Sequence, residues 1–166
     1  MISGDEFRRA LGNYPTGVTV ITATTESGPV GMACNSLTAV SLDPPLVLVC
    51  AAHTSETWPL IQETGHFVVN VMADDQADTT RRFARKGTDR FTTVGLHQRS
   101  HGIGLDGAVA WIECTIQDEH RAGDHTIVVG RVLELEAPDQ REPLVFFRGG
   151  FGSFLSGGPK TAEPQH

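Results

Sequence analysis

Two long β-patterned runs, Ala108 to Arg121 and Thr126 to Glu136, stand on either side of Ala122-Gly123-Asp124. β-branched residues recur through both, and a short Gly-Asp turn between such runs predicts a long antiparallel hairpin. The other strand patterns are shorter and are separated by turn formers. Val18 to Thr25, a turn through Glu26-Ser27-Gly28-Pro29, and Val30 to Ser41 read as a second pair. Leu46 to Ala52 is apolar enough for a strand buried on both faces, and Phe67 to Met72 and Leu144 to Phe147 add two more. No βαβαβ rhythm is present. Many short strands with few helices make the chain mainly β and predict an antiparallel barrel in place of a parallel α/β sheet.

Three short helices flank it. Ser3 caps the first, Glu6 completes a capping box, and Phe7, Ala10, Leu11 and Tyr14 share one face before Pro15 ends it. The second runs from about Ser55 to Thr64, with Ser55 or Thr57 as cap, Pro59 in its first turn and Gly65 as the stop. The third runs from Asp74 or Asp75 through Lys86 to a stop at Gly87, with Ala77, Thr80, Phe83 and Ala84 facing inward.

The 166 residues suit one domain, set at 1–156, followed by a Gly/Pro/polar tail at 157–166 that is expected to fray. Cys34, Cys50 and Cys114 sit in apolar runs without a close pair, so they read as small buried hydrophobes in a reducing compartment. The N-terminal stretch has no signal-peptide pattern and no run reaches the ~18 apolar residues of a membrane span, which together predict a cytoplasmic chain without a membrane partner. A formal net charge of −7 disfavours nucleic acid as a partner.

Gly102-Ile103-Gly104-Leu105-Asp106-Gly107 fits the G-x-G-x-x-G fingerprint of dinucleotide sites, but it follows a polar loop and leads into a strand. The fingerprint must follow a strand and open a helix, so a flexible connector is the better reading. His97 and His101 have i, i+4 spacing, yet the glycines beside them argue against a helix and no third ligand is near, so no metal site is expected. His66 begins a strand and His120 ends one, which suits surface or satisfied β residues.

Two places can meet an anion. One is the start of the second helix, at Ser55 and Thr57, although capping alone accounts for hydroxyls there. The other is Arg81, Arg82, Arg85, Lys86 and Arg90, five of thirteen basic residues within ten positions. A solvated helix face balanced by Asp74, Asp75, Asp78 and Asp89 explains the first three equally well. Arg90 differs, because it lies past the helix stop beside Phe91. At the mouth of the long hairpin His125 follows Gly123, which permits close approach of another molecule, and Asp124, which can orient or charge a neighbouring ring. A polar turn followed by a strand-edge histidine is equally consistent with those residues.

Pro15-Thr16-Gly17-Val18-Thr19-Val20, Asn35-Ser36-Leu37-Thr38 with Ser41-Leu42-Asp43-Pro44-Pro45-Leu46, Lys86-Gly87-Thr88-Asp89-Arg90-Phe91 and Gly123-Asp124-His125 occur in that order. Together they resemble the flavin reductase domain, whose fold is the FMN-binding split barrel, over about Phe7 to Phe154. The resemblance implies an antiparallel split β-barrel and a homodimer. It implies an NAD(P)H-dependent oxidoreductase that reduces FMN or FAD with NADH or NADPH and serves as the reductase of a two-component monooxygenase. By the same resemblance Asn35, Ser36, Leu37 and Thr38 line the isoalloxazine, and Ser41 and Leu42 continue the contact. Ala51, Ser55 and Thr57 follow the ribityl chain to the phosphate, and Phe83 and Arg90 complete the phosphate or adenine end. His125 is the catalytic candidate, at the nicotinamide or the flavin edge, and Phe151 shelters the stacked rings. Ala33 and Ala39 depart from the family pattern, standing where such reductases often carry Thr or Ser. A split-barrel protein that binds flavin or haem without reductase activity, or a pyridoxamine-phosphate oxidase-like enzyme, are the alternatives.

Overall fold

The computed structural model describes residues 1–87, 89–138 and 141–154. The expected tail at 157–166, and its boundary at 156, lie outside them. Twelve strands and three α-helices occur among the described residues, in the order α1 (Gly4–Leu11), β1 (Thr16–Gly17), β2 (Thr19–Thr25), β3 (Gly28–Cys34), β4 (Thr38–Leu42), β5 (Pro45–Ala52), α2 (Trp58–Thr64), β6 (His66–Val71), α3 (Ala77–Ala84), β7 (Leu96–Arg99), β8 (Gly102–Leu105), β9 (Ala110–Ala122), β10 (His125–Glu136), β11 (Leu144–Phe147) and β12 (Gly150–Ser153).

Seven strands form one sheet in the order β3-β2-β6-β9-β10-β5-β4, and its recorded pairings are antiparallel. The sheet curls until inner faces from distant strands meet in one core of Ile21, Val49, Phe67, Val69, Cys114 and Val128. Its end strands β3 and β4 are not paired with each other, which leaves the barrel split. Gly130 is required by this core: a Cβ there would stand 2.6 Å from Cζ of Phe67, and the β9–β10 register shifts beside it. The helix α2 closes one end, sending Trp58 and Ile61 inward, and Gly65 ends it in the left-handed region at φ 70°. The mainly β, antiparallel, split-barrel expectation is met.

Sequence and structure part company at several elements. The run Val30 to Ser41 is two strands, β3 and β4, because the chain leaves its pairing with β2 at Cys34 and joins β5 only at Thr38. Only Val47, Val49 and Ala51 of β5 are fully buried; the alternate residues are partly exposed. The third helix opens as a 3₁₀ turn, Asp74–Gln76, without a cap from Asp74 or Asp75. The Gln76 side chain accepts from Ala73 N–H instead, and Asp75 pairs with Arg141. That helix stops at Ala84, short of Lys86, where Arg85 turns extended and gives its carbonyl to the Arg90 guanidinium; Ala84 is exposed. Gly102–Leu105 is strand β8 in a hairpin with β7, not a flexible connector. A further strand, β12, extends the short sheet β1-β11-β12. Cys34 and Cys50 are only partly buried, whereas Cys114 is fully so.

The capping box at Ser3 and Glu6 is present, yet no residue of α1 is buried, and Phe7 and Leu11 are each 56% exposed. Among the described residues no helix is long and apolar enough to cross a membrane.

Candidate active site

The crossing from β3 to β4 turns its side chains three ways. Asn35 points into a cleft of about 210 Å³ shared with Val18, Ala33, Thr80, Phe146 and Phe151. The two phenylalanine rings meet edge to face at 5.7 Å, and the Arg81 guanidinium sits 5.1 Å from the centre of the Phe151 ring. An apolar cleft with a cationic lip and one amide suits a flat aromatic ligand with a polar edge. Ser36 is occupied structurally: its Oγ accepts the Cys50 N–H at 2.7 Å, tying the crossing to β5, and lies 3.0 Å from Cys34 Sγ. Leu37 packs against the barrel core. Ser36 and Leu37 therefore hold the crossing in place and offer a ligand mainly backbone.

Thr38 opens the edge strand β4, and Ser41 and Leu42 lie three and four residues along it, roughly 10–13 Å away at strand spacing. Leu42 is 94% exposed. Within one protomer the structure does not bring Ser41 and Leu42 into the Asn35 cleft.

A second group centres on Arg90. Its Nη1 donates to Thr57 Oγ1 at 2.7 Å and to the Gly31 carbonyl at 2.6 Å, while Nε and Nη2 donate to the Arg85 carbonyl at 3.1 and 2.9 Å. All these partners are neutral, and no carboxylate forms a salt bridge with Arg90 among the described residues. Four such bonds hold a permanent cation in place without cancelling its charge and leave one of its five N–H donors, on Nη2, for an anion such as a phosphate. Gly31 precedes Ala33 of the cleft by two residues and Asn35 by four, which puts the cation about 7 Å along β3 from the near end of the cleft and about 13 Å from Asn35. Phe83, by contrast, is 1% exposed: its ring fills the space left by the missing Cβ of Gly31 and meets Phe91 edge to face. Its side chain supports β3 beneath the site and offers no surface to a ligand.

Ala51 and Ser55 fall in a third place, a cleft of about 380 Å³ that also takes in His53, Trp58, Glu119 and Thr126. Ser55 Oγ accepts the Trp58 N–H at 3.0 Å, so Ser55 does cap the second helix; Thr57 makes no capping bond and serves Arg90.

His125 begins β10 at the rim of that cleft, opposite Ala52 of β5. Its Nδ1 lies 2.7 Å from Asp124 Oδ1, and Asp124 in turn accepts the His53 N–H through its carbonyl at 2.9 Å. Gly123 supplies the turn at φ 61° with open space around it. The hydrogen bond and then the charge of His125 hold the Asp124 carboxyl below its ordinary range. An imidazole with one nitrogen engaged presents the other outward.

The sequence profile of the flavin reductase like domain matches residues 11–155. The chain belongs to this family. It is 43% identical over 152 residues to a flavin reductase of Pseudomonas putida, covering 90% of this chain and 89% of that one. The crystal structure of a homologue of nitrilotriacetate monooxygenase component B from Mycobacterium thermoresistibile superposes with a TM-score of 0.89 at 38% identity, over 96% of this chain and 92% of that one. The NADH:FAD oxidoreductase of Streptomyces globisporus, solved with NAD and FAD fragments, gives a TM-score of 0.87 at 35% identity, over 93% and 96% of the two chains. The chain is thus a flavin reductase-type oxidoreductase with a flavin and NADH as its reactants.

His97 and His101 hold no metal-like cluster with other residues, and no group of three suitable ligands exists among the described residues. His97 binds Asp106 at 2.7 Å, and His101 stacks on His66 at 5.6 Å. His66 departs from expectation, since its Nδ1 is buried without a hydrogen-bond partner among the described residues. Sequence reasoning missed Val18, Thr80, His53, Glu119 and Thr126 as cleft residues. Only the pairing of β10 with β5, which sets Thr126 opposite Ala51, reveals the last.

Proposed function

We propose that this flavin reductase passes a hydride from NADH or NADPH to FMN or FAD, works in the cytoplasm as a homodimer, and supplies reduced flavin to the oxygenase of a two-component monooxygenase. The observation that carries the reading is Arg90, a cation held only by neutral oxygens, which lies along β3 from the aromatic cleft, about 7 Å from Ala33 and about 13 Å from Asn35. A phosphate at one end and a planar ring at the other describe a flavin nucleotide, and the residues present fit one.

When bound, the flavin supplies the electron-accepting ring and so the redox chemistry. Arg90 and Thr57 would hold the phosphate, while Ser55 and Ala51 line the neighbouring cleft. Asn35, the backbone of Ser36 and Leu37, and Thr38 set the ring's orientation, and Phe151 closes over it. His125, braced by Asp124, positions the nicotinamide and can hold a proton at Nε2. Hydride transfer needs two stacked rings in near-attack geometry and little acid–base machinery, so the absence of a carboxylate pair here is no obstacle.

The homodimer accounts for apolar surface that one protomer leaves open: Phe7 and Leu11 on α1 with Tyr14 just past it, Val40 and Leu42 on β4, and Leu133 and Leu135 on β10. A second copy would also bring ligand contacts to Ser41 and Leu42. Light scattering on the purified protein tests this. The oxygenase partner is supported by the relative named as a monooxygenase component.

Anaerobic oxidation of NADH and NADPH with each flavin supplied in turn tests the activity. Oxidation that requires added flavin is the expected result. Tight flavin retention without any nucleotide oxidation would assign the chain to the cofactor carriers of this fold.

A further inference from the structure

We propose that Arg81 latches Phe151 over the ring cleft and so sets how fast flavin enters and leaves the enzyme. The inference rests on the proposed function, because it takes the flavin ring to stand in the cleft at Asn35.

Phe151 reaches that cleft from a weakly held strand. β12 is the edge of the sheet β1-β11-β12 and pairs with β11 alone among the described residues. Phe151 stands opposite Phe146 in this pairing, and residues so paired send their side chains to one face, which is why both rings line the cleft. Glycines flank Phe151 on both sides. Neither Gly150 nor Gly152 has a positive φ; a Cβ on Gly152 would meet nothing within 4 Å, and one on Gly150 only the Phe147 carbonyl oxygen at 3.7 Å. Neither conformation nor space demands glycine here, in contrast to Gly130, where the Phe67 ring leaves no room. What the pair contributes is backbone freedom beside a ring that covers the site, because glycine loosens a strand.

Arg81 holds that ring from α3. Its guanidinium carbon lies 5.1 Å from the centre of the Phe151 ring, within cation–π range, and its Nη1 is tied to Asp78 Oδ1 at 2.6 Å one turn earlier. The helix itself is fixed. Thr80 and Phe83 are each 1% exposed, the Thr80 hydroxyl donates to the Gln76 carbonyl at 3.0 Å, and Thr80 and Ala84 form the wall of the cleft. The contact therefore joins a rigid helix to a loose strand.

It also consists of protein groups only. It has to break whenever Phe151 swings aside, on the way in as on the way out. An interaction that the free and the loaded protein share cannot shift a binding equilibrium, so the contact acts on rates. Arg90 differs, since its proposed bond to the phosphate exists only in the complex. Release of reduced flavin is a step of the proposed function, and opening of a lid limits turnover in many enzymes.

Stopped-flow fluorescence with FMN and with FAD reads the entry and exit rates of the wild type, Arg81→Gln, Arg81→Lys, Gly152→Ala, and Phe151→Leu alone and combined with Arg81→Gln. Arg81→Gln keeps the reach to Asp78 and removes the cation. Entry and exit should both quicken about threefold, with the dissociation constant held within about twofold. Arg81→Lys restores the charge and should return both rates toward the wild type. Gly152→Ala should slow both about twofold. With Phe151→Leu in place, Arg81→Gln should add nothing. The latch is overturned by unchanged rates in Arg81→Gln, by a change confined to exit, which would make Arg81 an ordinary flavin contact, by an equal effect with and without the Phe151 ring, or by undiminished rates in Gly152→Ala. If the wild type binds neither flavin, the reading of the Asn35 cleft fails and this inference with it; flavin binding with rates that the variants leave unmoved sinks the latch alone.

Discussion

Nδ1 of His125 and Oδ1 of Asp124 lie 2.7 Å apart at the tip of the longest hairpin. The contact joins two consecutive residues on a turn that His53 anchors to β5, so the imidazole is held by the barrel itself and not by a free loop. Replacing His125 by Ala removes the ring without touching Arg90, Thr57 or Asn35. Turnover with NADH should fall on the order of tenfold or more, while the flavin dissociation constant changes less than about twofold. Steady-state kinetics beside a fluorescence titration of flavin checks this, and an equal loss in both would contradict the role.

The Asp124 carboxyl gives the same contact a pH signature. Its folded value is depressed, first by the His125 hydrogen bond and then by the charge of that ring. A depressed carboxylate stabilises the fold above its unfolded value of about 3.9 and loses that contribution as pH falls through the folded value. In His125→Ala both causes vanish, and the Asp124 resonance in a carboxyl NMR titration should move upward toward the ordinary range. A midpoint that stays put would place the cause elsewhere.

These two residues show what the sequence made legible. A Gly-Asp turn between β-patterned runs is a local signal, and so are the Ser3–Glu6 box and Gly65, because each depends on neighbours within a few positions. The strand break at Asn35-Ser36-Leu37 is not local. It depends on the Ser36 hydroxyl finding the Cys50 N–H fourteen residues on, and no periodicity records that. Arg90 was legible as a cation past a helix stop, but its bonds to Gly31 and Thr57 come from elements that only the folded barrel brings together. Phe83 shows the same division: helix periodicity turned it inward, as it is, against the missing Cβ of Gly31, whereas its ligand role came only from the family resemblance.

Arg90→Ala removes a fixed cation and the donor to Thr57 Oγ1. Charge-assisted hydrogen bonds contribute about 1.5–3 kcal/mol each, so flavin affinity should drop on the order of tenfold or more. Arg90→Lys restores charge but not the fork and should recover only part of it. Equilibrium dialysis with FMN and FAD measures the loss. Unchanged affinity in the alanine variant would move the phosphate site away from Thr57.

Burial, followed by repulsion from Glu113, pushes the Cys114 thiol from 9.0 to about 12. The fold prefers the neutral thiol, so its contribution is complete below pH 9.0 and is lost progressively as pH rises toward 12. Over that window the wild type should lose stability by up to about 1.4 kcal/mol per pH unit more steeply than Cys114→Ala. Urea unfolding at several alkaline pH values reads the difference, and parallel slopes would show that the thiol is not titrating. The same burial predicts that Cys114 resists alkylation in the native state.

Glu113 supplies the sharpest stability test, because its carboxylate is buried and fully engaged. Its side chain is 1% exposed; Oε1 binds Arg99 Nε at 2.9 Å and Oε2 accepts the His101 N–H at 2.7 Å. Arg99 continues to Glu136 at 2.6 Å and lies 5.3 Å from the Trp111 ring centre, so one guanidinium fastens the β7–β8 hairpin to β9 and β10. Arg99→Ala strands the Glu113 charge in the interior and should cost about 3–5 kcal/mol. Glu113→Gln keeps an acceptor for one neighbour and removes the buried charge, and it should cost less. Chemical denaturation ranks the two. A smaller loss for Arg99→Ala than for Glu113→Gln would mean that water reaches the carboxylate, and the hairpin would then owe its place to the Trp111 contact and not to the ion pair.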